Sequence, residues 1–397
     1  MGRSVVVIGA GLGGLRVVEH LRRGGFDGAV TLVGLETHPP YDRPPLSKEV
    51  LRGEKSAEDI RLRAADFFAD NEVTLRLGVA ATSLDTAARE VGLSDGSTLP
   101  YEDLVVATGI VPKRLRGSEG MAGVHVLRTL EDALALRADA GDARSVLVIG
   151  AGFIGCEAAV ALRAAGLPTV LVEPRPAPLA GAVGSEVGGL VARLHTEAGV
   201  DVRCGVGVSE LRGDRPGRRG VLSDGSEVDA DLVVSGIGST PAIDWVRGSG
   251  LELGNGILCD ERGRTSDPHV WAVGDVAAWW RPADGRHIRV EHWTNTVEQS
   301  AIVAGAILGK DDPLPPSVPY FWSDQYNLRI QALGHVSPED DVRVLADDGR
   351  KFLAVFSRDG LLTAAVGCGL PARVMKFRRP LLDGARIDDL DLDLDLG

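Results

Sequence analysis

Two near-identical glycine-rich segments limit what this chain can fold into. Residues 5–15 read VVVIGAGLGGL and residues 146–156 read VLVIGAGFIGC, so the phrase recurs 141 positions along the chain. In each copy a β-branched run leads into a GxGxxG motif and then a helical stretch, which is the start of a βαβ unit with a parallel sheet. Because only two widely separated copies occur, we infer two supersecondary units rather than a solenoid.

The residues after each motif repeat one order of elements. The first copy predicts a strand, a helix, a second strand and an acid at 5–8, 15–23, 29–33 and Glu36. The second copy predicts them at 146–149, 156–165, 169–172 and Glu173. In each, a hairpin and a glycine-ended strand follow (LSDGSTL with DLVVATGIVP, LSDGSEV with DLVVSGIGSTP). From about residue 315 the sequence is strand-rich with aromatics, which predicts a separate α+β region with an antiparallel sheet.

The glycines and acids of the two copies predict two dinucleotide sites. The first glycine makes a tight turn, the second lets the backbone approach a pyrophosphate, and the third lets helix and strand pack closely. The helix N-terminus supplies free N–H groups, and the acid accepts hydrogen bonds from ribose hydroxyls. The candidate residues are Gly9, Gly11, Leu12, Gly13, Gly14 and Glu36 in the first copy, and Gly150, Gly152, Phe153, Ile154, Gly155 and Glu173 in the second.

Two dinucleotide sites are chemically useful when one holds a nicotinamide and the other a flavin. A nicotinamide gives up a hydride, and a flavin accepts it and releases electrons one at a time. Glu173 favours NADH, because its carboxylate would repel a 2′-phosphate. Arg175, two residues further on, could instead receive that phosphate, so NADPH stays open as an alternative.

Composition excludes several other classes of protein. With 397 residues, 44% hydrophobic and 25% charged, the chain suits a soluble protein of two or three domains. The longest apolar runs are strand-length and the N-terminus leads directly into a strand, so we expect a cytoplasmic protein without a membrane span. A net charge of −13 argues against nonspecific nucleic-acid binding. The four cysteines form no CxxC pair, which argues against disulfides, a metal site and a dithiol redox centre.

Six further segments, in order, carry a family resemblance: PPYDRPPLSK (39–48), ATG (107–109), GFIGCE (152–157), WAVGDVA (271–277), EHW (291–293) and YFWSDQY (320–326). With them the chain resembles the FAD-dependent, NADH-linked ferredoxin reductases of bacterial oxygenase and cytochrome P450 systems, the putidaredoxin reductase and biphenyl dioxygenase reductase type. The resemblance implies an α/β, glutathione-reductase-like architecture. Two Rossmann-like domains are expected, an FAD domain (1–112 and 238–314) and an inserted NAD(P)H domain (113–237), before a C-terminal domain (315–397).

The resemblance implies further residues around a tightly bound FAD. Arg43 would lie on the phosphate side and Lys48 near the isoalloxazine ring, where a cation stabilises the charge of the reduced flavin. Asp275 would bind the ribityl chain, although a carboxylate that caps a following helix is the alternative. Without the resemblance, Lys48 could equally be a surface lysine. The other implied FAD contacts are Ala81, Ala107, Thr108, Gly109, Arg128, Glu291, His292, Trp293 and Trp322.

On the nicotinamide side the resemblance implies two residues. Glu157 would hold the carboxamide so that the nicotinamide faces the flavin, which is positioning rather than proton chemistry. An ordinary helix glutamate facing solvent is the alternative. Gly236 would let the backbone pass close to the nucleotide. One departure from the family is Gly181, where close relatives often carry an arginine; Arg175 could act in its place.

The resemblance implies an enzyme that reduces FAD with NADH and passes single electrons to a small 2Fe–2S ferredoxin, which feeds an oxygenase or cytochrome P450. The alternatives are rubredoxin, a quinone or a small molecule as acceptor, or an interaction protein similar to apoptosis-inducing factor. No cysteine lies within residues 37–50, where peroxidase and oxidase relatives keep a redox-active one. Arg373, Lys376, Arg378 and Arg379, or the smaller pair Arg61 and Arg63, could border a docking face; a solvated basic helix is the alternative. We expect a monomer or weak homodimer.

Overall fold

The computed structural model describes residues 3–214, 217–310, 312–314 and 316–392. The chain forms two compact units. The first comprises Met1–Asp42, Ala57–Val111 and Ser239–Pro315, and the second Arg43–Ser56, Pro112–Gly238 and Pro316–Gly397. The division into three domains expected from the sequence stays a prediction, and residue 315, its last boundary, lies outside the described residues.

A five-stranded parallel sheet forms the centre of the first unit. Its strands, in spatial order, are Val270–Ala272, Asp103–Val106, Ser4–Ile8, Ala29–Gly34 and Val73–Leu77. Alternate residues of the central strand are buried in different clusters, because both faces of the sheet are covered. Val5 and Val7 pack with Leu15 and Val18 of the following helix, whereas Val6 packs in the cluster on the opposite face.

The first unit is completed by helices and small sheets. Its helices are Leu12–Arg23, Phe67–Asp70 and Trp293–Ile307. One antiparallel sheet contains Ala81–Asp85, Glu90–Leu93 and Thr98–Pro100, and a second sheet contains Leu253–Gly254, Gly256–Cys259, Ala277–Arg281 and Arg286–Arg289. Ile110–Pro112 pairs with Ser239–Pro241.

The second unit contains another five-stranded parallel sheet, built on the second glycine motif. Its strands, in spatial order, are Asp201–Cys204, Thr169–Glu173, Val146–Ile149, Leu232–Ser235 and Val124–His125. Its long helices are Leu130–Gly141, Phe153–Ala164 and Ala180–Glu197. Val208–Arg212, Arg219–Leu222 and Glu227–Asp229 form a small antiparallel sheet.

The second unit also holds an antiparallel sheet from the C-terminal part of the chain. Its strands, in spatial order, are Tyr320–Gln325, Leu328–Gly334, Leu361–Cys368, Phe352–Arg358 and Asp341–Asp347. The short helices Pro371–Met375 and Arg378–Asp383 follow it. The rings of Phe153 and Phe321 meet edge to face at 4.9 Å, and this contact joins the helix after the second glycine motif to the edge strand of the sheet. The parallel sheets and the antiparallel C-terminal sheet confirm the predicted architecture.

Both nucleotide-loop helices begin earlier than the sequence predicted. Their predicted first residues were 15 and 156, whereas the helices begin at Leu12 and Phe153. The third glycine of each motif lies inside the first helical turn although glycine is a poor helix former. It is needed there because a Cβ on Gly14 would lie 2.0 Å from the Gly9 carbonyl oxygen. Among the described residues, no helix is both long and apolar enough to cross a membrane.

Candidate functional site

The first glycine loop, residues 9–14, contains a position that neighbouring backbone closes and a position that faces open space. Gly9 has φ +117°, and a Cβ there would lie 2.2 Å from the Ala107 carbonyl oxygen, so only glycine fits without a backbone shift. A Cβ on Gly11 would meet no protein atom within 4 Å. The open backbone at Gly11, at the start of a helix, therefore fits a pyrophosphate group.

The second loop, residues 150–155, repeats this arrangement within the second unit. Gly150 has φ +91°, and a Cβ there would lie 2.4 Å from the Gly236 carbonyl oxygen. A Cβ on Gly155 would lie 1.9 Å from the Gly150 carbonyl oxygen, whereas Gly152 again faces open space. Gly236 therefore lies against the loop, as Ala107 does in the first unit. Both loops fit a bound dinucleotide.

The two acids after the second strands differ in their surroundings. Glu36 is half-buried and accepts a hydrogen bond from the Tyr41 hydroxyl. Glu173 is buried, and its two carboxylate oxygens accept hydrogen bonds from the backbone N–H groups of Ala151, at 2.7 Å, and Arg175, at 3.0 Å. The Glu173 carboxylate thus anchors its own glycine loop, which keeps a negative charge at the end of the strand.

Lys48 and Glu157 form a buried ion pair in the second unit. Lys48 Nζ donates to Glu157 Oε2 at 2.6 Å and to the Pro44 carbonyl oxygen at 3.0 Å. Their residues are 7% and 5% exposed, so Lys48 is not a surface lysine and Glu157 does not face solvent. Lys48 follows the proline-stiffened turn Pro44–Ser47, and Glu157 lies in the second turn of the helix Phe153–Ala164. An ion pair this buried holds both charged groups in fixed positions.

Two serines complete the hydrogen bonding of Glu157. Ser47 Oγ donates to Glu157 Oε2 at 2.5 Å, and Ser323 Oγ donates to Oε1 at 2.6 Å. Both serines are at most 1% exposed. We had not predicted either residue, although each lies inside a motif that carried the resemblance, PPYDRPPLSK or YFWSDQY.

Three of the remaining candidates of the first unit follow the parallel strand Asp103–Val106 directly, whereas Ala81 lies elsewhere. The Ala107 N–H donates to the Ile8 carbonyl at 2.7 Å, and Thr108 Oγ1 donates to the Ala242 carbonyl at 2.9 Å. Gly109 has φ +71°. Ala81 begins the strand Ala81–Asp85, outside the parallel sheet.

Asp275 lies in the short turn Gly274–Val276, and its carbonyl accepts a hydrogen bond from Arg289 at 2.9 Å. A strand, Ala277–Arg281, follows this turn, so no helix begins directly after Asp275. The chain continues here as a strand, in which Ala277 pairs with Ile257 of the neighbouring strand.

The EHW segment of the first unit lies at the start of the helix Trp293–Ile307. His292 is the N-terminal cap residue, and Trp293 Nε1 donates to Asp42 Oδ1 at 2.9 Å. Glu291 accepts hydrogen bonds from Ser239 at 3.1 Å and Arg289 at 2.5 Å. The segment is thus tied to neighbouring loops by its side chains rather than exposed as a free helix end.

The other candidates of the second unit lie in the loop before Lys48, on the strand Tyr320–Gln325 and at the start of the helix Phe153–Ala164. Arg43 Nη1 donates to the Arg128 carbonyl oxygen at 2.6 Å. Trp322 is half-buried and stacks on Tyr320, with ring centroids 6.0 Å apart. Ile154 is 41% exposed beside the open Gly152 backbone, whereas Phe153 packs on Phe321.

Arg175 occupies the space that Gly181 leaves. A Cβ on Gly181 would lie 1.7 Å from Arg175 Nη1, so the guanidinium rests against a position that any larger residue would fill. Arg175 is exposed, and its guanidinium makes no ion pair within the described ranges. An exposed cation therefore stands two residues from Glu173, as the sequence allowed.

Burial disfavours the reactive thiolate form of the four cysteines. All four cysteines are free, and burial raises the pKa of Cys156 and Cys259, and that of Cys368 to about 12. Burial also raises the pKa of the half-buried Cys204. Since the thiolate is the reactive form, no cysteine here is poised for redox chemistry.

The two basic patches differ in how far their charges are neutralised. Arg61 is paired with Glu58 at 2.8 Å and Arg63 with Glu19 at 2.6 Å. In the larger patch Arg379 is paired with Asp383 at 2.6 Å. Lys376 and Arg378 are exposed, and neither forms an ion pair in the part of the chain that the structure describes. The larger patch therefore keeps more uncompensated positive charge.

Comparisons with known proteins agree with this geometry. The family model described as pyridine nucleotide-disulphide oxidoreductase matches residues 3–300, and the model described as reductase C-terminal matches 320–394. The chain is 36% identical, over 393 residues, to the ferredoxin–NAD(+) reductase component of the anthranilate 1,2-dioxygenase system of Burkholderia cepacia, with 98% of this chain and 96% of that protein covered. It is 35% identical, over 376 residues, to rubredoxin–NAD(+) reductase of Pseudomonas putida, with 93% and 97% covered. The crystal structure of the covalent putidaredoxin reductase–putidaredoxin complex matches with a TM-score of 0.91 and 32% identity, over 96% of this chain and 93% of that one.

Proposed function

The chain belongs to the pyridine nucleotide-disulphide oxidoreductase family, and we propose that it is a ferredoxin reductase that takes a hydride from NADH onto FAD and passes single electrons to a 2Fe–2S ferredoxin of an oxygenase or cytochrome P450 system. The observation that carries this proposal is the combination of two open glycine loops with a buried Lys48–Glu157 pair. The absence of a reactive thiol among the four cysteines supports electron delivery to an outside acceptor.

In this proposal the first unit holds the ADP half of FAD. The open backbone at Gly11 would take the pyrophosphate, and the Glu36 carboxylate would accept hydrogen bonds from the ribose hydroxyls. Lys48 would stabilise negative charge on the reduced isoalloxazine ring. Glu157 and the Pro44 carbonyl already hold its ammonium in place, so the side chain need not move to do this. FAD, when bound, supplies the chemistry that converts a two-electron hydride into single electrons.

The second unit holds the nicotinamide dinucleotide, with its pyrophosphate at Gly152 and its carboxamide at Glu157. Three hydrogen bonds from Lys48, Ser47 and Ser323 fix the Glu157 carboxylate, which supports a role in orienting the nicotinamide. An absorbance spectrum of the purified protein tests both sites together. A flavin spectrum that bleaches when NADH is added without oxygen is the expected result, and a protein without flavin absorbance would refute it.

We propose NADH rather than NADPH as the preferred donor. Support comes from the Glu173 carboxylate, which is fixed at the strand end by two backbone N–H groups and would repel a 2′-phosphate. The exposed Arg175 is the feature that opposes this choice. Anaerobic titration with each coenzyme decides, since a lower Kd for NADPH would overturn the argument from Glu173.

The identity of the electron acceptor also needs a test, because one relative is a rubredoxin–NAD(+) reductase. Stopped-flow reduction of a 2Fe–2S ferredoxin, rubredoxin and a quinone by the NADH-reduced protein separates the acceptors. Turnover with the ferredoxin alone supports the proposal. Turnover with rubredoxin or quinone alone favours the alternative acceptors.

The larger basic patch is our proposed border of the ferredoxin docking face. Its uncompensated charges at Lys376 and Arg378 would attract an acidic partner over a distance of about 10 Å at moderate salt. Reversing Lys376 and Arg378 to Glu should lower ferredoxin reduction and weaken its salt dependence. Reversing Arg61, whose charge Glu58 already compensates, is the matched control. The monomeric or weakly dimeric state and the cytoplasmic location stay predictions.

A further inference from the structure

A chain of polar side chains leads away from Glu157 through the interior of the second unit. Ser323 Oγ lies 2.6 Å from Glu157 Oε1, and Gln325 Nε2 lies 3.2 Å from Ser323 Oγ. At the far end the Tyr326 hydroxyl lies 3.0 Å from His195 Nδ1. Ser323, Gln325 and His195 are all 0% exposed. None of these residues had a role in the sequence interpretation.

Two buried atoms join the halves of this chain. His195 Nε2 and Gln325 Oε1 are both inaccessible to solvent, and neither has a hydrogen-bond partner in the described part of the chain. Burial lowers the pKa of His195 to about 4, and the neighbouring Gln325 side chain partly opposes that effect. A ring N–H and an amide oxygen are complementary, so each is a suitable partner for the other.

The Glu157 carboxylate then fixes the direction of every hydrogen bond. A carboxylate only accepts, so the Ser323 hydroxyl donates its one proton to Glu157 and accepts from the amide of Gln325. The amide oxygen of Gln325 is then the atom left for His195, and pairing it with Nε2 requires the ring proton on Nε2. Nδ1, left without a proton, accepts from the Tyr326 hydroxyl. Burial raises the pKa of Tyr326, which keeps that hydroxyl protonated.

The two oxygens of Glu157 are held unequally. Oε2 accepts from both Lys48 and Ser47, whereas Ser323 is the single donor to Oε1 among the described residues. A carboxylate oxygen has two acceptor positions, so Oε1 keeps one position for a further donor. Without Ser323 the carboxylate is held through Oε2 alone, and the position of Oε1 is then set only by the last side-chain torsion, which is intrinsically broad.

We propose that Ser323, supported by Gln325, His195 and Tyr326, positions the free acceptor site of Glu157 Oε1 for the carboxamide N–H of the nicotinamide. This inference rests on the proposed function, which brings the nicotinamide to Glu157. Ser323 is a positioning residue: it acts through Glu157 and has no contact of its own with the coenzyme.

The test compares two ligands that differ in the nicotinamide. NAD⁺ and ADP-ribose are titrated calorimetrically into the FAD-loaded full chain, since ADP-ribose lacks the carboxamide. Ser323→Ala should raise the Kd for NAD⁺ about tenfold, the loss typical of one hydrogen bond to a charged group, and leave the Kd for ADP-ribose unchanged. Equal losses for both ligands would indicate general damage to the domain and overturn the proposal, as would no loss for either.

A pair of tyrosine variants tests the far end of the chain. Tyr326→Phe should raise the Kd for NAD⁺ about threefold, and because it removes a single oxygen it also serves if Ser323→Ala fails to fold. Tyr320→Phe is the control: its hydroxyl accepts from Gln331 Nε2, on the neighbouring strand, at 2.7 Å and takes no part in the series of residues that leads to Glu157. Equal effects of the two tyrosine variants on NAD⁺ binding would contradict the proposal.

The double variant Ser323→Ala, Tyr326→Phe shows whether the two residues affect NAD⁺ binding together or independently. If Tyr326 acts through Ser323, the double variant should bind NAD⁺ no more weakly than Ser323→Ala alone, whereas additive losses would overturn the connection. The unsubstituted protein tests the underlying function separately. If it binds neither NAD⁺ nor ADP-ribose, the proposed coenzyme site itself is refuted; if it binds both, the variants decide the inference alone.

Discussion

His195 should make the second unit sensitive to mild acid. Its ring is 0% exposed, and burial lowers its pKa to about 4 from the ordinary value of 6.5. Between these two values the unfolded chain binds a proton that the folded chain does not. Folding stability therefore rises with pH in this window and is lost as the pH falls from about 6.5 toward about 4.

The two pKa values set the size of the effect. At pH 7.5 the ring is almost uncharged in both states, so His195 contributes no pH dependence there. At pH 5 the unfolded ring is almost fully protonated and the folded ring almost fully neutral, a difference equivalent to about 1.5 pKa units. At 1.36 kcal/mol per unit, acidification from pH 7.5 to pH 5 should cost about 2 kcal/mol of unfolding free energy through His195 alone.

The assay is urea denaturation followed by circular dichroism at pH 7.5 and pH 5, on the unsubstituted protein and on His195→Gln. The variant loses stability at both pH values, because a buried ring is replaced, but it lacks the titrating group. Its loss between the two pH values should be about 2 kcal/mol smaller than that of the unsubstituted protein. Other groups whose pKa is shifted, such as His20, are present in both proteins and cancel in the comparison.

Two results would refute this reasoning. One is an equal loss of stability on acidification in both proteins. The other is an NMR signal of the His195 ring that titrates near pH 6.5 in the folded protein, since this would mean that the ring is not buried and neutral.

Three further predictions concern other positions. Gly11→Ala should bind FAD more weakly with its melting temperature nearly unchanged, because the new methyl group enters the open space where the pyrophosphate is expected. Gly9→Ala should also lower the melting temperature, since its Cβ would lie 2.2 Å from a carbonyl oxygen. The flavin-to-protein absorbance ratio and thermal denaturation check both variants. Gly181→Ala should displace the Arg175 guanidinium, whose Nη1 lies 1.7 Å from the new Cβ, and should change the ratio of the Kd values for NADPH and NADH; an unchanged ratio would show that Arg175 is remote from the coenzyme. In the native protein at pH 8 a maleimide should modify only Cys204, the one cysteine that is not buried, and labelling of a second cysteine by mass spectrometry would contradict the quiet state of the thiols.

The sequence determined the two nucleotide loops and the order of the elements around them. Backbone geometry explains this success, because a turn such as that at Gly9 and a close helix contact such as that at Gly14 admit glycine alone and so leave a local signature. The alternating and continuous runs of β-branched residues likewise gave the parallel strands. The helix starts were placed three residues late, because helix propensity disfavours the glycine that tertiary packing requires.

The pairing around Glu157 was decided by the tertiary structure. Lys48 and Glu157 are 109 residues apart, and Ser323 is another 166 residues from Glu157, so no local pattern connects them. Motif resemblance named Lys48 and Glu157 separately, for different coenzymes, and gave no reason to join them. Their ion pair exists because the turn 44–47 and the edge strand Tyr320–Gln325 meet the same helix, a consequence of packing.

His195 shows the same division between sequence and structure. In the sequence it is one histidine near the end of a helix, and nothing nearby distinguishes it from a solvent-exposed residue. Only the packing of that helix against Tyr326 buries the ring and lowers its pKa. Local sequence specifies conformations that few residues can adopt, whereas long-range packing decides which polar groups meet and what charge they carry.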